Sequence, residues 1–196
     1  MEIPTIALSS PLELTIDLTD EQFFNLCQEN RDLRFERTSS GGLIIMSPTG
    51  SETGNRNIDL SYQLQSWSRQ NKHLGIAFDS SSGFKLPDGT DISPDAAWIR
   101  RDRWDALTSE EKEKFAPICP DFVVELRSTT DSLEKLRAKM RLYMKNGARL
   151  GWLLDRKNRQ VEISRQGKEV EILDAPRTVS GEDVLPGFVL DLTDIF

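Results

Sequence analysis

Residues 120–128 read PDFVVELRS, and this stretch decides how the rest of the chain is read. Phe122, Val123, Val124 and Leu126 form the near-continuous apolar run of a strand buried on both faces. A carboxylate at Glu125 stands inside that run and a guanidinium at Arg127 beside it. Burying an ionised side chain is costly unless it is paired, hydrogen-bonded or bound to a metal, so Glu125 requires a partner from elsewhere in the chain.

The surrounding chain has 196 residues, 37% hydrophobic and 29% charged, enough for one well-cored domain and short for two. We read a single domain over residues 1–196, with an N-terminal helix and hairpin (1–50), a core (51–156) and a C-terminal hairpin and tail (157–196). No apolar run approaches the ~20 residues of a membrane span. The N-terminal MEIPTIALSSPLEL has no basic region followed by a long apolar stretch, so a cytoplasmic chain without membrane partners is expected. Cys27 and Cys119 lie far apart with no CxxC pair, which fits reduced thiols used in packing.

A net charge of −7 and a pI near 4.9 argue against a protein that coats nucleic acid indiscriminately. A nuclease is compatible with them, because an enzyme that holds metal ions gathers carboxylates and local basic segments supply phosphate contacts. Two such segments stand out: RRDR at residues 100–103, and the helix carrying Lys135, Arg137, Lys139, Arg141 and Lys145. The ordinary reading of each of these residues is solvated surface. One histidine, His73, and two separated cysteines cannot build a His/Cys zinc site, an HExxH protease or a His-metal nuclease finger. His73, at a helix end, suits capping of carbonyls better than catalysis. Neither a Walker-type phosphate loop nor GxGxxG is present. Any chemistry must rest on Asp, Glu, Lys and Arg.

Along the chain, Thr19 to Gln22 forms a capping box ahead of a short helix, FFNLCQEN. RFERTSSGGLIIMSP reads as a hairpin turning at Ser39-Ser40-Gly41-Gly42. Residues 55–70 place Ile58, Leu60, Tyr62, Leu64 and Trp67 roughly at helical spacing. GIAFDSSSGFKLPDG gives a strand or hairpin, SPDAAWIRR another strand, and Thr108 caps a charged helix or loop. After the 120–128 stretch, Asp131 and Ser132 cap a long helix that ends near Asn146-Gly147, and ARLGWLLD is a buried strand. QVEISRQGKEVEIL then turns at Gln166-Gly167, and Leu185, Phe188, Val189 and Leu192 of the tail are expected to dock on the core. The order is that of a mixed α/β layer: helix, strands, a strand with Asp95, a strand with Glu125, helix, strand.

Asp121 projects from the same strand face as Glu125, but four residues at ~3.3 Å rise separate the two Cα atoms by ~13 Å, while Mg²⁺ holds its oxygens at ~2.1 Å. Carboxylates that meet one ion must come from different strands. Asp95 opens AAWIR, with Pro94 pinning the approach, and a neighbouring strand lies only ~4.8 Å away. Asp88 is the weaker alternative, since Pro87-Asp88-Gly89 is a turn signal that accounts for its aspartate.

Pro94-Asp95, followed at a distance by Glu125-Leu126-Arg127 and then by a helix and strand, resembles the PD-(D/E)xK nuclease superfamily. PTGSETGNRN, FKLPDGTDISPDAAW, FVVELRSTTDSLEKLRAKMRLYMKNGARLGWLLD and GEDVLPGF are similar, across nearly the whole chain, to the Uma-type endonuclease family of bacteria. The resemblance implies a restriction-endonuclease-like α+β core and a Mg²⁺-dependent endonuclease, Mn²⁺ substituting. The substrate expected is nucleic acid, DNA above RNA, and homo-oligomer formation stays open. Asp95 and Glu125 become metal ligands. Glu52, at the start of the first core helix, is a candidate third ligand, although an ordinary helix N-terminal charge explains it too. Glu36 in FERT ranks lower, as a hairpin surface or pocket-rim group.

The superfamily usually carries lysine two residues after its acid, where this chain has Arg127. An arginine can stabilise phosphate charge but carries protons poorly. Arg127 is therefore read as a phosphate contact or as an ion-pair partner for Glu125 or Asp155. The family resemblance moves the lysine to the following helix. There Leu133, Leu136, Met140, Tyr143 and Met144 form one apolar stripe with Lys139 at its edge, while Lys135 points away. Lys139 would position or deprotonate the nucleophile. Without the resemblance it reads equally well as a snorkelling surface lysine. The rival from another class is a non-catalytic nuclease-fold module that binds nucleic acid or a protein partner.

Overall fold

A computed structural model describes residues 12–196; the targeting-signal reading of the first residues lies largely outside them. The elements run β1 (Leu12–Thr15), α1 (Asp20–Glu29), β2 (Arg34–Arg37), β3 (Gly42–Met46), α2 (Ser51–Gln70), β4 (Gly75–Asp79), β5 (Phe84–Lys85), β6 (Asp91–Ile92) and β7 (Ala96–Arg100). They continue with α3 (Arg101–Asp105), α4 (Ser109–Glu113), β8 (Phe122–Leu126), α5 (Leu133–Lys145), β9 (Leu150–Asp155), β10 (Gln160–Arg165), β11 (Glu171–Asp174), β12 (Thr178–Ser180) and β13 (Val189–Asp191). A six-stranded mixed sheet has the order β11-β10-β9-β8-β7-β4, and a five-stranded sheet the order β1-β3-β2-β6-β5. The mixed α+β architecture is the one expected. Among the described residues no helix is long and apolar enough to cross a membrane.

The 120–128 stretch is the centre of the large sheet. Every residue of β8 is buried, flanked by antiparallel β7 and parallel β9. A parallel neighbour requires a crossover, and α5 supplies it. Strand alternation sends Phe122, Val124 and Leu126 into one core layer with Leu60 and Leu64 of α2 and with the C-terminal tail. Val123 goes to the opposite layer, against Met140 and Tyr143 of α5. Glu125 shares that second face. The close seating of α5 depends on Gly151, where a Cβ would come within 2.2 Å of the Met140 sulfur. The helix ends at Asn146, and Gly147 takes the left-handed turn at φ 106°.

Both capping boxes, at Thr19 and Thr108, are formed. Two expectations need correction. Ile58 and Tyr62 are 67% and 70% exposed, because the i, i+4 pair lies on the face of α2 opposite Leu60 and Leu64. Val189 is exposed while Leu190 is buried, since the tail forms a small β12–β13 ribbon whose period of two selects the neighbour. The hairpin of β2 and β3 is extended on one side by β1 and on the other by β6, through Arg37 and Asp91.

Candidate active site

Asp95 and Glu125 sit on adjoining antiparallel strands. Asp95 immediately precedes β7, its backbone N–H donates to the Val124 carbonyl at 3.0 Å, and its Oδ2 accepts the Leu126 N–H at 2.8 Å. This tie fixes its carboxylate at the end of β8. Glu125 is 3% exposed, and its Oε1 accepts the Tyr143 hydroxyl at 3.0 Å and stands 3.0 Å from the Lys139 ammonium. Lys139 also reaches Glu36 Oε1 at 2.9 Å and donates to the Ser93 carbonyl at 3.0 Å. The Ser93 N–H donates to Glu36 in turn, at 3.2 Å. One ammonium thus serves two buried carboxylates, with Asp95 as a third acid beside them.

The imbalance shows in the proton affinities. Burial pushes the Glu125 carboxyl up to about 7, and the Asp95 and Glu36 charges add to that push while Lys139 opposes it. For Lys139, burial alone acts to release its proton, but Glu125 and Glu36 outweigh it and raise its pKa above the ordinary lysine value. The amine is therefore an ammonium at neutral pH. Positioning and charge stabilisation remain open to it, and deprotonation of a nucleophile by resting Lys139 does not. Glu125 is the group poised to exchange a proton near neutrality.

A divalent ion is tested against the donors present. Asp95 Oδ1 has only long contacts, to Asn57 Nδ2 at 3.4 Å and to an Arg34 nitrogen at 3.7 Å. The buried Oδ1 of Asn57 meets no donor among the described residues, an orphaned acceptor beside that carboxylate. The donors are all hard oxygens. Among the described residues no three His, Cys, Asp or Glu side chains form a metal cage. Mg²⁺ is held through one or two carboxylates together with waters and substrate phosphates, so this donor set fits Mg²⁺ or Mn²⁺ and does not fit a dedicated all-protein site.

The structure does not bring every predicted residue to this point. Arg127 turns away from Glu125 and places Nη1 at 3.0 and 2.9 Å from the two oxygens of the buried Asp155. Of its open readings, the ion pair with Asp155 is the geometry found. Glu52, the candidate third ligand, has a carboxylate that is 81% exposed and lies against Arg56 and Arg156. Asp121 accepts from the Arg100 N–H and pairs with Arg103, whereas Asp88 exchanges hydrogen bonds with Asn146. His73 lies in the turn after α2. The thiols of Cys119 and Cys27 are pushed up by burial, to about 12 and about 11, as packing cysteines are. In the two basic segments Arg100 pairs with Asp102, Arg137 with Glu162 of β10, and Arg141 with Glu134.

Four residues were underrated or missed. Glu36 belongs in the centre and not on a rim, and Tyr143, assigned to the apolar stripe, also supplies a hydroxyl to Glu125. Asn57 and Arg34 flank Asp95. The spacing of Asn57, three residues before the buried Leu60, was the available signal that it faces inward.

Curated proteins give no match. The structure is similar to the crystal structure of a putative nuclease belonging to DUF820 from Anabaena variabilis, with a TM-score of 0.72 and 22% identity over 92% of this chain and 98% of that one. The family described as Uma2, putative restriction endonuclease, matches residues 20–193, and the chain belongs to that family.

Proposed function

We propose that this protein is an endonuclease that hydrolyses phosphodiester bonds in DNA with Mg²⁺, or Mn²⁺ in its place. The observation that carries the reading is a buried carboxylate, Glu125, held 3.0 Å from the Lys139 ammonium beside Asp95. Asp95 and Lys139 keep 14% and 17% of their side chains exposed, so the cluster is accessible to a substrate. Asp95 and Glu125, with Asn57 Oδ1, would hold the ion. When bound, such an ion polarises a phosphoryl oxygen and lowers the pKa of coordinated water.

The chain's own groups divide the remaining tasks. Lys139, locked by Glu36 and Ser93, sets a fixed positive charge where negative charge develops on the phosphoryl group. Glu125 would have to be ionised to serve as a ligand, so its proton affinity would set the pH at which the site can act. Asp95, tied through the Leu126 N–H, keeps the two acids in register.

Cleavage of supercoiled plasmid and of short labelled duplexes, with Mg²⁺, with Mn²⁺ and with EDTA, tests the reading. Metal-dependent cleavage is expected, together with a metal-induced rise in melting temperature that Glu125→Gln abolishes. Binding of DNA without cleavage under any of these conditions would transfer the assignment to a non-catalytic module. The Lys139 bridge between Glu36 and Glu125 is the observation that favours that second reading, because an ammonium already neutralises part of the site.

A further inference from the structure

A second cluster, of opposite sign, lies next in sequence to Asn57 and Asp155. Arg56 of α2 and Arg156, in the turn after β9, reach the same Glu52 carboxylate oxygen at 3.2 and 3.8 Å. The burial is lopsided: the two arginine side chains are 19% and 14% exposed, and their common partner is 81% exposed. The Nε atoms of both arginines are buried, and no acceptor among the described residues reaches either of them. Arg56 is further anchored by donating to the Glu52 carbonyl at 3.2 Å.

An arginine that serves only solubility keeps its head group in water, where every donor is satisfied. Here two guanidiniums share one exposed acid, and their Nε donors go unused among the described residues. Mutual repulsion of the arginines makes the arrangement costly by itself, and an exposed acid offsets little of it. The same arrangement suits an oxyanion with several acceptor oxygens, which two guanidinium forks recognise better than ammonium groups do. Its place is also informative. Asn57, which contacts Asp95, follows Arg56 on α2, and Asp155, which clamps Arg127, precedes Arg156.

We propose that Arg56 and Arg156 form a subsite for a backbone phosphate of the substrate, and that the Glu52 carboxylate occupies this subsite in the free protein and leaves it when the phosphate arrives. The proposal rests on the nuclease reading for the identity of the substrate. The residues that carry it are separate from those assigned to hydrolysis. Glu52 thereby acts as an internal competitor that lowers affinity for nucleic acid.

Three proteins test it: wild type, Glu52→Gln and Arg156→Gln. Binding of a fluorescent DNA duplex is followed in EDTA, where no cleavage occurs, across a salt series. Glu52→Gln should tighten binding about threefold to tenfold, because a competing anion is lost. Arg156→Gln should weaken it and reduce the slope of log affinity against log salt by about one. Unchanged or weaker binding by Glu52→Gln overturns the proposal, as does an unchanged salt slope for Arg156→Gln. Since Glu52 is exposed, its variant carries the test whatever Arg156→Gln does to folding. Inorganic phosphate separates the two readings. If wild type binds no DNA yet phosphate raises its melting temperature, more so in Glu52→Gln and not in Arg156→Gln, the subsite stands and the nuclease reading falls. If DNA is cleaved and bound identically by all three proteins, the nuclease reading stands and the subsite falls.

Discussion

Glu125 and Asp155 are buried carboxylates on neighbouring parallel strands, and the fold treats them in opposite ways. Asp155 accepts from both sides: Arg127 Nη1 at 3.0 and 2.9 Å, the Lys157 N–H at 3.1 Å and the Asn158 amide at 2.7 Å. It is matched by one cation and closed by its own turn. Glu125 has the Tyr143 hydroxyl and a cation that it shares with Glu36, while Asp95 adds a further negative charge nearby. Charge balance marks the first pair as part of the scaffold. Charge excess marks the second as a place built to receive a cation or exchange a proton.

The largest effects follow from breaking each region by removing its cation. Lys139→Met and Arg127→Met should each destabilise the protein by about 3–5 kcal/mol in urea denaturation, because each leaves a buried acid uncompensated. Their consequences for chemistry should diverge. Under conditions where both variants are folded, Lys139→Met should lose about 10²-fold or more of the metal-dependent cleavage, and Arg127→Met should keep most of it. Equal losses would put Arg127 back among the residues that act on the phosphate. The stability cost of Lys139→Met should also be smaller at pH 5 than at pH 8, since Glu125 can neutralise itself by taking up a proton.

A smaller effect sharpens the same contrast through pH. The Glu125 carboxyl is raised from 4.5 to about 7 in the folded protein. Between those values the folded state holds a proton that the unfolded state has released, so stability falls as pH rises through that window, by on the order of 3 kcal/mol in total. Below the window the contribution is fully present, and above it the contribution is lost. Glu125→Gln should flatten this slope in EDTA, as read from melting temperature against pH. A slope unchanged in the variant would assign the titration to another group.

How much of this was legible beforehand depended on whether a local pattern carried the information. Glu125 stood out because a charge interrupts an apolar strand, and Asp95 followed from the short distance between neighbouring strands. Lys139 was found at the edge of the helical stripe. Glu36 was not, because FERT has no local sign that β2 is buried: its cover comes from β6 and from Lys139, which are remote in sequence. Tyr143 was half read. Its ring packs in the stripe as any aromatic would, and only the fold shows where the hydroxyl points. Glu52 stayed ambiguous because an acid in the first turn of a helix suits both a metal site and the helix dipole, and neither use requires burial. Arg127 offered two acids as partners, and the choice lay in β9, which sequence spacing could not orient.

The smallest expected effect is the most discriminating, since it removes one hydrogen bond from each carboxylate and leaves every charge in place. Tyr143→Phe deletes the donor at 3.0 Å from Glu125, and Asn158→Ala deletes the donor at 2.7 Å from Asp155. Each should cost about 1 kcal/mol, the usual net value of one such bond, with the Tyr143 ring still packed in the core. A hydrogen bond donated to a carboxylate favours its ionised form, so its loss from Glu125 should move that group's proton affinity further upward. The pH at which metal-dependent cleavage reaches half its maximum should therefore rise in Tyr143→Phe and stay where it was in Asn158→Ala. Equal stability losses with a shift in only one pH profile would separate a carboxylate that works from one that holds the fold. Profiles unmoved in both variants would mean that Glu125 is not the group whose ionisation limits cleavage, and that group would have to be sought elsewhere in the cluster.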